Sequence, residues 1–175
     1  LIDITSDDTF LAGVYYSRGD AFTGMQDWKS ALKSYLKSYE LESDGSYAAK
    51  ALKASYQTAL MPLNENNFEL AIIQFDSLIN VIPSGPLLTA AHYSKGDAFS
   101  ELEEWKAAGK SYLESFKLEP DGKYAAKALM NVGISLGKMQ KINEACNILN
   151  RVEARFPRNQ IVEEAQYEMQ ILGCS

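Results

Sequence analysis

An all-α solenoid of four helix-turn-helix repeats, closed by a C-terminal capping helix, is the fold class this sequence predicts, and three observations predict it. The first is an internal duplication: residues 16–52 laid over 93–129, an offset of 77, are identical at 24 of 37 positions. That offset is too long for one supersecondary unit and right for two. The second is a weaker sub-repeat within each copy. Ala31 has Trp28 three residues before it and Tyr35 four after, and the triplet recurs as Phe68-Ala71-Phe75, Trp105-Ala108-Tyr112 and Ile142-Ala145-Leu149. Upstream of the alanines stand Gly19, Gly96 and Gly133, each followed three residues later by Phe22, Phe99 or Leu136. Spacings of 3, 4 and 7 mark the buried face of a helix, so each unit carries two. The third is punctuation: twelve residues past the alanine, Pro83, Pro120 and Pro157 end the second helix, with Ser43 at that place in the first unit. Proline removes a backbone donor and stops the helix.

Taken in order, the repeats run over about 12–45, 52–85, 89–122 and 126–159, with a capping helix over 160–172, in one domain spanning 1–175. The repeat-to-repeat steps are 40, 37 and 37 residues, so extra residues sit at the turns. Asn66 or Asn67 caps the second helix of unit two, and Asp121 and Ser84 are candidate caps for first helices. Pro62 predicts a bend or an early stop near Leu60. Asn159, followed by Glu163 and Glu164, starts the capping helix, and Ile161, Ala165, Tyr167 or Glu168, and Leu172 supply its apolar stripe. Such a helix covers the hydrophobic face that no further repeat will cover.

Composition narrows function. At 175 residues and 46% hydrophobic content, the chain buries roughly 70% of its unfolded surface without help from metal or disulfides. A net charge of −6 is the wrong sign for a nucleic-acid or anionic-lipid binder. No apolar run approaches the ~18 residues of a membrane span. The chain opens on Leu1 with no leader, which reads as a fragment or mature form of something longer. Two cysteines, Cys146 and Cys174, exclude a four-thiolate metal site and leave one disulfide or two free thiols.

Catalytic readings find little support. The only histidine, His92, falls on a first helix where other units have Tyr15 and Leu129, so a packed, half-buried ring is expected. The pairs Asp7-Asp8, Glu103-Glu104 and Glu163-Glu164 lie at chain ends or helix starts, where solvated charge favours the helix dipole. No nucleophile elbow or phosphate-binding glycine loop is present, since no strands are expected. No cofactor is implied, and the chain reads as a non-enzyme.

The spaced glycine, aromatic, alanine and proline positions resemble the tetratricopeptide repeat (TPR). Residues 52–175 are similar, more closely, to the periplasmic Tol-Pal-associated TPR family known as the cell division coordinator. That resemblance is carried by Tyr56-x-x-Ala59-Leu60-x-x-Leu63, Asn67-Phe68-x-x-Ala71, Ile82-Pro83-Ser84-Gly85-Pro86, Lys127-Ala128-Leu129, Glu144-Ala145-Cys146 and Leu172-Gly173-Cys174. Residues 1–51 add a repeat where that family has a linker. The resemblance implies a periplasmic, non-catalytic adaptor that links envelope constriction to peptidoglycan synthesis during division, with Tol-Pal components as partners. The alternative is a TPR scaffold or chaperone with another client, such as an outer-membrane assembly lipoprotein. A cytosolic co-chaperone is disfavoured, because its clamp for a C-terminal carboxylate needs Lys, Asn and Arg on first helices.

In the TPR pattern the inward positions of the first helices are Tyr16, Asp20, Tyr56, Tyr93, Asp97 and Met130, the expected contact residues for a peptide or protein partner. Tyrosine offers flat apolar area with a polar tip, and aspartate orients a basic or amide-rich ligand. The competing reading gives these tyrosines only to inter-repeat seams. If the last two helices form a hairpin turning near Arg158, residue 146 lies opposite about residue 170, one turn from Cys174. A disulfide is then in reach after modest fraying, and would fit an oxidising compartment; otherwise Cys146 is buried and Cys174 frayed and free.

Overall fold

The structure, a computed structural model, describes residues 4–174, with side chains from Asp7 onward. Among these residues there are nine helices and no strand: α1 (Ile4–Gly24), α2 (Trp28–Leu41), α3 (Ala48–Asn64), α4 (Phe68–Ile79), α5 (Pro86–Glu101), α6 (Trp105–Leu118), α7 (Ala125–Lys138), α8 (Ile142–Arg155) and α9 (Ile161–Leu172). The chain divides into two compact units, one ending at Pro83 and the other beginning at Ser84. The first holds two helical pairs; the second holds two pairs and the capping helix, which packs on α8 and α7.

The sub-repeat is visible in the backbone. Each first helix ends with a residue in the left-handed region five positions before the reference alanine: Gln26, Asn66, Glu103 and Gln140, at φ 59°, 58°, 58° and 61°. The next amide then reaches back across the turn, Asp27 N–H to Phe22 C=O at 3.0 Å, Asn67 to Pro62 at 2.8 Å, Glu104 to Phe99 and Lys141 to Leu136 at 2.9 Å. That is the Schellman closure, which satisfies carbonyls the helix end leaves open. Glu103 and Glu104 therefore sit in a turn, not in a paired-carboxylate site. Asp27 and Asn67 then cap the next helices, accepting from Ser30 N–H at 3.1 Å and Leu70 N–H at 3.3 Å.

The reference alanines fill the helix crossings. Ala31, Ala71, Ala108 and Ala145 are all at 0% exposure. Opposite Gly19, Gly96 and Gly133 stands the large residue four after the alanine, and a Cβ added at Gly96 would come within 2.7 Å of the Tyr112 ring, at Gly133 within 2.7 Å of Leu149. Close approach of backbone to ring is what requires glycine there. Ala108→Leu is expected to overpack this crossing and cost about 2 kcal/mol, read as a lower urea midpoint with unchanged slope.

Several local expectations are corrected. Helix α1 begins at Ile4, well before residue 12, with Asp7 in its first turn where the helix dipole favours an acid. Pro62 does not stop α3 near Leu60; the helix continues to Asn64. Proline so close to the end removes one intrahelical bond, and its buried ring adds packing. Ser84 is not the cap of α5: Gly85 is, at φ 100°, with Pro86 at the first helical position. Nor does Asp121 cap α7; it accepts from Arg155 at 3.0 Å, and the cap position of α7 is Tyr124, which makes no side-chain cap bond. Asn159 does serve the start of α9, accepting from Ile161 N–H at 3.1 Å.

Among the described residues, Glu42 Oε2, Ser55 Oγ and both amide atoms of Gln74 are buried without a hydrogen-bond partner. Gln74, on α4, is 2% exposed. An unmet buried amide costs about 1–3 kcal/mol.

Candidate functional site

The duplication builds the same polar-aromatic cluster once in each unit. In the N-terminal unit, Tyr16 and Asp20 are one turn apart on α1, so both meet Tyr35 of α2. The Tyr35 hydroxyl donates to Asp20 Oδ1 at 2.8 Å and lies 3.1 Å from Thr23 Oγ1. The Tyr16 ring sits 5.4 Å from Tyr35 and 5.8 Å from Tyr47. In the C-terminal unit, Tyr112 of α6 donates to Asp97 Oδ1 at 2.8 Å, and Tyr93 lies 5.4 Å from Tyr112 and stacks on Tyr124 at 5.0 Å. Tyr47 and Tyr124 come from the duplicated Asp-Gly-x-Tyr segment that leads into the next repeat. Lysine joins both clusters, Lys50 over Tyr47 at 5.8 Å and Lys127 over Tyr93 at 5.8 Å.

The copies differ in depth. Tyr16 is half-buried and Asp20 exposed, whereas Tyr93 is 5% exposed and belongs to the hydrophobic core of its unit. Asn131 of α7 donates to the Tyr93 hydroxyl at 3.2 Å; the residue 77 positions earlier is Ala54, which has no group to offer. Burial pushes the Asp97 carboxyl up to about 6, against the opposing pull of the Tyr112 hydrogen bond and the Lys127 charge. Burial, then the Asp97 charge, raises the Tyr93 and Tyr112 phenols well above their ordinary value. Tyr35 is likewise pushed up to about 12, mainly by burial.

The remaining expected contact residues are placed unevenly. Tyr56 is half-buried with its ring 6.2 Å from Phe75. Met130 is 4% exposed and underlies a shallow cleft of about 340 Å³ walled by Glu163, Glu164 and Tyr167 of the capping helix. The accessible candidates are thus Tyr16, Asp20 and Tyr56 in the first unit; in the second, Asp97 is half-buried, while Tyr93 and Met130 give most of their surface to the core. Sequence reasoning assigned Tyr35 and Tyr112 to the core, and they are 3% and 2% exposed, but it missed that their hydroxyls hold the aspartates. It also missed Tyr47, Tyr124, Lys50 and Lys127, though the 77-residue duplication that repeats them was the available signal.

His92 is half-buried, as its register predicts. Among the described residues, no group of three or more His, Cys, Asp or Glu side chains is placed to hold a metal ion, and no helix is long and apolar enough to cross a membrane. Cys146 and Cys174 form a disulfide, with Cα atoms 5.6 Å apart. The route differs from the expected fraying. Gly173 at φ 70° turns the chain out of α9, and Cys174 N–H bonds Met169 C=O at 2.9 Å, so the helix end is closed and the thiol is aimed at α8.

No family model and no curated protein matches the chain in sequence. Solved structures do match in fold. The apo form of RapI superposes with a TM-score of 0.64 at 16% identity, over 95% of this chain and 48% of RapI, so this chain spans about half of that protein's length. YrrB, a TPR protein with an unusual peptide-binding site, gives 0.60 at 18% identity over 90% of this chain and 74% of its own. MamA from Desulfovibrio magneticus RS-1 gives 0.57 at 14% identity over 93% and 89%. The chain therefore has the fold of tetratricopeptide-repeat proteins.

Proposed function

We propose that this chain is a non-catalytic protein-binding module whose first helices present tyrosine and aspartate to a peptide or partner helix. One observation carries the reading: Tyr-x-x-x-Asp on the first helix, locked by a tyrosine of the second, is built twice, and in the C-terminal unit its carboxylate is held at a cost to folding. Burial pushes the Asp97 carboxyl up to about 6, and a perturbed carboxylate at a surface cluster is a common mark of a binding site. Peptide binding by YrrB, a neighbour in fold, agrees with this use of the scaffold.

The finer reading is an adaptor of the bacterial periplasm that coordinates the Tol-Pal system and envelope constriction with peptidoglycan synthesis. Its support is the Ala-Cys and Gly-Cys resemblance at residues 145–146 and 173–174 and the disulfide between them, a bond at home in an oxidising compartment. The test is calorimetric binding of the 175-residue chain to purified periplasmic Tol-Pal components, repeated with Tyr16→Ala and Tyr56→Ala, whose rings are accessible. Each variant is expected to cost about 2 kcal/mol, the size of a hot-spot truncation. Unchanged affinity with intact helicity would move the contact surface off the first helices, and absence of binding to every Tol-Pal component would reject the finer reading.

A further inference from the structure

The N-terminal unit carries a second concavity, not lined by Tyr16, Asp20 or Tyr56. A groove of about 770 Å³ is lined by residues of α1, α2 and α4. Its charge opposes that of the chain. Although the protein as a whole carries −6, the groove is lined by Arg18, Lys29, Lys33 and Lys37 against one acid, Glu40, and that acid is already paired with Lys37 at 3.3 Å. The three lysines recur every fourth residue along α2, about 6 Å apart on one face. Alternate residues of an extended peptide are about 6.6 Å apart, so carboxylates at every second position follow that ladder.

Two further features point to a bound chain. Leu32 and Leu36 form an apolar floor at 4% and 8% exposure, while Ile73 of α4 is left 59% exposed in the lining. Gln74 lines the same groove with both amide atoms unpartnered. A side-chain amide offers a donor and an acceptor together, the complement of a peptide group.

We infer that this groove is a docking site for an extended acidic peptide with interspersed apolar side chains, its carboxylates on Lys29 and Lys33 and its backbone on Gln74. The surface is separate from the tyrosine-aspartate clusters, so it stands or falls independently of the function proposed above. The probes are two labelled synthetic 12-residue peptides of equal apolar content, one alternating Leu with Asp and Glu, the other Leu with Lys and Arg, measured by fluorescence anisotropy on the full 175-residue chain. The acidic peptide should bind at least tenfold more tightly and weaken as salt is raised. The double variant Lys29→Glu/Lys33→Glu should lose at least tenfold with its helicity intact, while Tyr56→Ala should leave this affinity unchanged. Gln74→Leu should raise thermal stability and weaken the acidic peptide severalfold; higher stability with undiminished affinity would remove Gln74 from the site. Equal binding of the two peptides, binding of neither, or indifference to the lysine reversals overturns the proposal. So does concentration-dependent self-association abolished by those reversals, which would make the occupant a second copy of the chain.

Discussion

Reduction of the Cys146–Cys174 disulfide, or replacement of Cys174 by Ser, is expected to lower the stability of the C-terminal unit by about 3–4 kcal/mol. The bond joins residues 28 apart in sequence, and in the chain-entropy account a closed loop of that length restricts the unfolded ensemble by this amount. The cross-link also fixes the far end of α9 to α8. Without it α9 is held by Ile161 and Ala165, its two buried residues, together with the half-buried Met169 and Leu172 that pack on the core. Loss should therefore begin at the C-terminus: amide exchange in α9 accelerates first, and the thermal midpoint drops by roughly 10 °C. Thermal melts with and without reductant measure it. A midpoint unchanged by reduction, with two free thiols confirmed, would show that α9 is held by its apolar stripe alone.

Replacing Asp97 by Asn is expected to stabilise the protein at neutral pH and to remove a pH dependence that the parent shows. The carboxyl titrates near 6 in the folded chain because it is buried, with Glu101 adding to the shift while Tyr112 and Lys127 oppose it. Its ordinary value is near 3.8. The folded state thus binds the proton more tightly than the unfolded state, so the contribution of this group to stability is fully present below about pH 4 and is lost as pH rises through about 6. The difference amounts to about 3 kcal/mol. Asparagine carries no charge to desolvate and still accepts the Tyr112 hydroxyl, so the variant should gain about 2 kcal/mol at pH 8, some of the benefit being offset by lost attraction to Lys127. Urea unfolding of both proteins at pH 4.5 and pH 8 gives the comparison. If the parent does not lose stability relative to the variant across that interval, Asp97 is more hydrated than its surroundings imply. If the variant is more stable yet binds its partner less well, the aspartate charge serves binding at the expense of folding.

The repeats were legible because their signals are local. The triplet around Ala31, Ala71, Ala108 and Ala145 is a helix-period pattern, and a small residue flanked by large ones has one packing solution at a crossing. The caps were read less well. Asn67 is a cap because the turn before it is set by its own neighbours, whereas Asp121, an equally good candidate by type, stands three residues ahead of the cap position at Tyr124 and pairs with Arg155 at the surface. Ser84 lost the position to Gly85, whose backbone alone adopts φ 100° without strain. Pro62 predicts a bend or an early stop because proline is weighed by what it removes, and its burial within the last turn of α3 is not visible in one dimension.

The site divides along the same line. Sequence by itself determined the four repeats, the crossing alanines and the duplicated Tyr-x-x-x-Asp, because periodicity and helix length are properties of consecutive residues; it left the pairing of Cys146 and Cys174 open. The tertiary structure alone decided that Tyr16 and Tyr93, set in nearly identical local sequence, differ in burial. It also decided that Asp97 is driven toward its protonated form and that Gln74 lies unpaired beside a cationic groove in an acidic protein. Burial and electrostatic environment are sums over residues distant in the chain. Asn131 in place of Ala54 changes the surroundings of one tyrosine and leaves the residues beside it in sequence untouched.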